Sequence, residues 1–142
     1  MHTTELDFNL IPQKLDDASP GEAALLAVRV LWPTFQEVEG VVLLEGMIES
    51  ARDRERLGAS IDRLEGDLAS VEKEFNFYEI DLLFGKLVSD LTDDEVVWLA
   101  RRLAAIWQAR LRSQFPGLEF VVQSVEPAPV DGFELGITFY RC

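Results

Sequence analysis

The chain has almost none of the side chains that most often perform nucleophilic or acid–base catalysis. Its only histidine is His2, and its only cysteine is Cys142. A Ser-His-Asp or Cys-His arrangement needs an ordered imidazole, and a zinc site needs several Cys or His ligands. A lone cysteine also excludes a disulfide within the chain, as is typical of proteins from a reducing compartment. Carboxylates are the only groups left from which a catalytic site could be built.

The sequence also lacks signals for a cofactor, a membrane or export. Its nine glycines never fall at the spacing of a phosphate-binding loop, so no cofactor is expected. The longest apolar stretch, residues 23–28, is far too short to span a bilayer, so no membrane contact is expected. The first ten residues lack the cationic start and apolar core of a signal peptide. These absences predict a cytoplasmic protein.

Basic residues are scarce relative to acidic ones. The chain carries 26 Asp and Glu against 13 Lys and Arg, a formal net charge of −13. A field of this sign repels nucleic-acid phosphates and anionic lipid headgroups, so neither is expected as a partner. The same field speeds encounters with a basic protein. The charge therefore predicts either a protein partner, with a basic protein favoured, or a surface that serves solubility alone.

Length and pattern predict one α+β domain spanning residues 1–142. With 48% hydrophobic residues and nine Phe, a chain of this length can bury an ordinary core. Alternating apolar residues, helix caps and turn residues mark the following order: a strand at 4–10, a helix from Ser19 to before Pro33, a strand or hairpin within 34–45, a long central helix, a capped helix from Thr92 to before Pro116, and strands at 118–126 and 133–141 joined by a loop at 127–132. This order, β-α-β-α-α-β-β, predicts an antiparallel sheet of about four strands with helices packed on one face.

The central helix is predicted from a hydrophobic seam. Its members recur at alternating steps of four and three residues, the spacing of one helix face. They are Leu57, Ile61, Leu64, Leu68, Val71, Phe75, Tyr78 and Leu82. Gly58 and Gly66 weaken the helix. The seam therefore predicts one long helix from about residue 57 to Gly85.

Four acidic residues follow the same spacing beside that seam. Asp62, Glu65, Glu72 and Glu79 would share one face if the helix were continuous. Such a stripe is a candidate surface for the Lys and Arg side chains of a partner. The alternative is an ordinary solvated face, which is common on surface helices.

Trp98 is the other candidate for partner binding. At 100° per residue it falls opposite the apolar side of the capped helix, together with Arg101 and Arg102. A tryptophan flanked by arginines on a polar face has the composition of a binding hot spot. The alternative is that a second layer of the same chain covers it.

Three functions remain open. The first hypothesis is a non-enzymatic protein-binding module or inhibitor of the immunity type, whose acidic face engages a basic partner. The second is a homo-oligomeric scaffold or secretion-type chaperone that uses the seam or the Trp98 face as an interface. The third is a carboxylate-only, Mg²⁺-dependent enzyme built on Glu72 with Glu79, or on Glu79 with Asp81.

Overall fold

The computed structural model describes residues 19–126 and 134–142. The elements are α1 (Pro20–Leu31), β1 (Phe35–Val38), β2 (Val41–Leu44), α2 (Ala51–Arg63), α3 (Leu68–Phe75), β3 (Phe77–Glu79), α4 (Ile80–Phe84), a 3₁₀ turn (Gly85–Val88), α5 (Asp93–Gln114), β4 (Phe120–Val125) and β5 (Gly136–Arg141). Helices combined with antiparallel strands confirm the predicted α+β class. The predicted strand at 4–10 and loop at 127–132 lie outside the described residues.

Side-chain caps mark the starts of α1, α2, α3 and α5. The predicted capping box at α5 is confirmed, since the Glu95 amide donates to Thr92 Oγ1 at 3.2 Å and the Thr92 amide donates to Glu95 Oε1 at 2.9 Å. Ser19 caps α1 as predicted, with Pro20 in the first turn. A second capping box at Ser50 begins α2. Each cap pairs backbone amides that a helix start otherwise leaves without partners.

The predicted long central helix is wrong. The chain leaves the helical conformation after α2, where Glu65 and Gly66 take positive φ values of 55° and 78°. Asp67 then starts α3 by accepting the Ser70 amide. Glycine adopts a positive φ without steric cost, so Gly66 permits the reversal. The seam predicted burial at Leu57 and Val71 correctly, but it did not require a continuous helix.

The predicted single sheet of about four strands is also corrected. The described strands form two small antiparallel sheets, a hairpin of β1 and β2 and a three-stranded sheet in the order β3-β5-β4. A two-residue turn at Glu39 and Gly40, with φ values of 51° and 85°, closes the hairpin. Two positive φ values at this position produce a turn whose twist matches that of the strands.

Side chains close the outer edges of the hairpin, so no neighbouring strand is needed there. On β2, the Val42 amide donates to Glu72 Oε2 at 2.8 Å, and Asn76 Nδ2 donates to the Val42 carbonyl at 2.8 Å. On β1, the Phe35 amide donates to Gln114 Oε1 at 3.0 Å, and the Gln114 amide group donates back to the Phe35 carbonyl. These contacts supply the hydrogen bonds that a paired strand would otherwise provide.

The hairpin lies between two groups of buried side chains. Val42 and Leu44 join the main core, which surrounds the fully buried Trp107. Val41 and Leu43 point the other way and pack with the second group, which includes Leu57. A strand buried on both faces reads as a continuous apolar run, as residues 41–44 do. Within the described ranges, no helix is long and apolar enough to cross a bilayer.

Candidate protein-binding surface

Trp98 projects from α5 into solvent. Its side chain is 59% exposed, whereas Leu103, Trp107 and Leu111 of the same helix are fully buried. The orientation predicted from helical spacing is therefore confirmed, and the described residues leave most of Trp98 open to solvent. Exposing a tryptophan to water forgoes the favourable burial of its apolar surface. An exposed ring at a rigid helix position is the type of group that dominates binding energy at protein interfaces.

Both neighbouring arginines contact groups within the chain. The Arg102 guanidinium lies over the Trp98 ring, 5.2 Å from its centroid. Arg101 pairs with Glu126 just after β4, at 2.7 Å. A cation–π contact at an exposed position stabilises by about 0.5–1 kcal/mol, which suffices to bias the orientation of the ring. Arg102 therefore holds Trp98 in place, while Arg101 ties α5 to the end of β4.

A groove of about 470 Å³ opens beside the Trp98 ring. Its lining residues are Leu91, Asp94, Glu95, Trp98 and Leu99. Three of the five are large apolar residues, and the other two are acidic. Glu95 is held by the capping box, and the Leu91 amide donates to the Val88 carbonyl at 3.2 Å. The groove is therefore built on fixed backbone at the start of α5, and we refer to it as the Trp98 groove.

A second depression of about 470 Å³ shares Leu91 with the Trp98 groove. Its other lining residues are Ile80, Asp81, Val88, Ser89, Asp93, Val96, Val97, Glu134 and Leu135. Asp81, Asp93 and Glu134 add three acids, and the described residues that line the two depressions include no Lys or Arg. The positive end of the α5 dipole makes it favourable to gather acids here. The start of α5 is thus an apolar surface with acidic walls.

The four predicted acidic-stripe residues do not form one surface. Asp62 lies at the end of α2 and Glu65 in the reversal after it, and both are exposed. Glu72 is fully buried in α3, and Glu79 is exposed at the end of β3. The break at Gly66 rotates α3 relative to α2, so residues spaced for one face no longer share it. The prediction that these four residues form an acidic stripe on one helix face is therefore wrong.

Glu72 instead joins three elements of the fold. Its Oε1 accepts the Arg141 amide and its Oε2 accepts the Val42 amide, each at 2.8 Å. The Arg141 guanidinium also binds this carboxylate, with a closest contact of 2.7 Å. The hydrogen bond to Glu72 raises the pKa of Arg141. A buried carboxylate with a full set of donors is a structural group, because its oxygens have no capacity left for a ligand.

Asn76 and Tyr78 extend this buried network. The Tyr78 hydroxyl donates to Asn76 Oδ1 at 2.8 Å, and burial raises the pKa of Tyr78 well above its ordinary value. In the described ranges, every buried side-chain nitrogen and oxygen has a hydrogen-bond partner. A fully paired network of this kind specifies how the core packs. Removing one member would leave its buried polar partner without a hydrogen bond, which costs free energy.

The other carboxylate arrangements do not build a metal centre in the described part of the chain. Of the predicted pairs, Glu72 is buried and bound to Arg141, whereas Glu79 and Asp81 are exposed. Across residues 19–126 and 134–142, no three His, Cys, Asp or Glu residues gather closely enough to hold an ion. In a further cleft between α2 and α3, Glu74 accepts from Ser60 and Arg63. The Ser60 hydroxyl, followed by Arg63, lowers the pKa of Glu74.

Sequence reasoning missed a second exposed apolar face, on α1. Leu25, Val28 and Trp32 are all largely exposed at a spacing of three and four residues. That spacing was available in the sequence. It did not separate this face from the buried one, because α1 is apolar on both sides.

A search for similar proteins found no matching family model, no matching curated protein and no matching solved structure.

Proposed function

We propose that this chain is a non-enzymatic protein-binding module whose Trp98 groove receives an apolar side chain of a basic partner. The observation that carries the proposal is the 59% exposure of Trp98 beside an apolar groove with acidic walls. An aromatic anchor in a small apolar depression is the usual centre of a binding hot spot. The acids specify what should flank the partner's apolar side chain, namely Lys or Arg.

The Trp98 groove is prepared for binding before a partner arrives. Arg102 stacks on the Trp98 ring, and the Glu95 cap rigidifies the backbone below it. A side chain that is already ordered loses less entropy on association, so more of the contact energy appears as affinity. The Asp94 carboxylate borders the Trp98 groove without a hydrogen bond or ion pair to any described residue, which leaves its charge available to a partner.

Long-range charge supports the same partner chemistry. A net charge of −13 attracts a basic protein, and the acids around the start of α5 direct it toward the Trp98 groove. An inhibitor of the immunity type, which covers a basic active site, is the form of partner binding that best suits this charge. We place the module in the cytoplasm, where its exposed Cys142 thiol would remain reduced.

The experiment is affinity capture from native lysate at low and high salt, followed by binding measurements with the purified captured protein. We expect a basic protein at low salt and weaker capture at high salt, since salt screens exposed charges. Trp98→Ala should weaken binding by at least tenfold. The matched control, Trp32→Ala, removes another exposed tryptophan and should leave binding unchanged.

Two substitutions that each neutralise one acidic residue provide a second matched pair of variants. Asp94→Asn should weaken binding and reduce its dependence on salt, whereas Asp62→Asn, a neutralisation on α2, should not. A captured protein that binds Trp98→Ala as tightly as the wild type would refute the proposed site. Recovery of the chain alone at both salt concentrations would count against a protein-binding function.

A further inference from the structure

The outer face of α1 is apolar and, apart from the Arg110 guanidinium over the Trp32 ring, is uncovered by the described residues. Leu25 is 60% exposed, Val28 59% and Trp32 48%, whereas Leu26 and Val30 on the opposite face are buried. Three large apolar side chains on one stripe of a short helix are unusual for a surface that faces only water. This face is separate from the Trp98 groove, because none of its residues lines that groove.

The stripe has a small residue at one end and a large one at the other. Gly21, Leu25, Val28 and Trp32 follow steps of four, three and four residues, the spacing of a helix–helix seam. A Cβ added to Gly21 would meet no atom of the described residues within 4 Å, so those residues leave space above this end. Trp32 fills the other end, where the Arg110 guanidinium lies 5.4 Å from its ring centroid.

We propose that the outer face of α1 binds the same face of a second copy of this chain, antiparallel about a two-fold axis. In that arrangement Trp32 lies over the partner's Gly21, and Leu25 lies against the partner's Val28. Because the axis is two-fold, the contact between the large residue of one copy and the small residue of the other occurs twice in the interface. One helix thereby supplies both halves of a complementary surface.

Glu22 and Arg29, seven residues apart, flank the stripe on one side with charges of opposite sign. The stripe itself carries no charge, which favours a second copy over the basic partner proposed for the Trp98 groove.

The expected dimer is weak. A 12-residue helix is about 18 Å long, and stable interfaces bury about 800 Å² on each partner. A face of this length falls short of that area, so association should depend on protein concentration. Salt should strengthen it, because screening reduces the repulsion between two chains of charge −13. This response is opposite to that expected for a basic partner at the Trp98 groove.

Sedimentation velocity of the full chain over a wide concentration range tests the proposal. The average mass of the wild type should rise from monomer toward dimer, and should rise further at high salt. Val28→Glu should raise the dissociation constant at least tenfold. The matched control, Leu87→Glu, introduces the same charge at another exposed apolar residue and should dimerise as the wild type does. Thermal melts show that each variant is folded.

A residue swap tests the antiparallel register. The described residues leave room for a Cβ at Gly21, so Gly21→Trp should fold, as a thermal melt would show, but would collide with the partner's Trp32 and abolish the dimer. Combining it with Trp32→Gly exchanges the large and small residues and should restore dimerisation. A wild-type chain that stays monomeric at every concentration overturns the proposal. So does a dimer that tolerates both Val28→Glu and Gly21→Trp. Neither result bears on the Trp98 groove, which is tested by partner capture.

Discussion

Glu72 and Arg141, 69 residues apart in sequence, form a partly buried ion pair that joins α3 to the end of β5. The Glu72 carboxylate is fully buried and also accepts the Val42 amide of the hairpin. It therefore connects α3, the three-stranded sheet and the hairpin.

Glu72→Ala should lower the free energy of unfolding by about 3–5 kcal/mol, because it leaves a partly buried guanidinium and a buried amide without their acceptor. Urea denaturation measures this loss. Glu126→Ala is the matched control, since it breaks the exposed pair with Arg101 and should cost less than about 1 kcal/mol. Equal losses in the two variants would show that the Glu72 network does not hold the fold.

Stability should fall at alkaline pH because of Tyr78. Burial raises the pKa of Tyr78 above its ordinary value of 10.0, so the unfolded chain loses this proton first. The contribution of protonated Tyr78 to the free energy of unfolding is fully present below pH 10. It is lost as the pH rises further, at up to about 1.4 kcal/mol per pH unit. Urea unfolding at several alkaline pH values should show this decline in the wild type and a shallower one in Tyr78→Phe. Parallel declines would contradict the assignment to Tyr78.

Two glycine-to-alanine substitutions should have opposite effects. A Cβ at Gly136 would lie 2.7 Å from the Tyr78 carbonyl oxygen and 2.7 Å from the Phe77 ring, so β3 and β5 would have to separate. Gly58 lies within α2 with open space around it, and alanine there should stabilise by about 0.5–1 kcal/mol. Thermal melts should place Gly136→Ala below the wild type and Gly58→Ala above it. A stable Gly136→Ala variant would mean that the two strands are not held this closely.

Trp98→Ala should change stability by less than about 1 kcal/mol, as expected for an exposed residue. Trp107→Ala should cost about 3–5 kcal/mol, because it empties the centre of the core and removes the hydrogen bond to the Val30 carbonyl. Chemical denaturation of both variants measures the difference. A large loss for Trp98→Ala would identify Trp98 as a core residue and end its assignment to a binding surface.

Local signals predicted the right elements at particular places. The Thr92 and Ser19 caps depend on residues three positions away, and both are found where the sequence placed them. Trp98 faces outward because helical spacing fixes its direction relative to Trp107. In each of these cases the interacting groups are neighbours in the chain.

Non-local contacts decided the parts that were predicted wrongly. Helical spacing placed Glu72 on an exposed acidic stripe, yet Arg141 and Val42 bury it. Burying a carboxylate is favourable only when such donors are present, and no local pattern reveals them. The hairpin likewise stays apart from the larger sheet because Glu72, Asn76 and Gln114 close its edges.

The sequence alone determined the starts of α1 and α5, the α+β class, the acidic charge and the direction of Trp98 away from the apolar side of α5, since each depends on composition or on short spacing. The tertiary structure decided where the central seam breaks, which carboxylate is buried, and that the Trp98 groove and the α1 stripe are separate surfaces. Those outcomes depend on which distant groups meet, because burial is favourable only where apolar surfaces are covered and polar groups are paired.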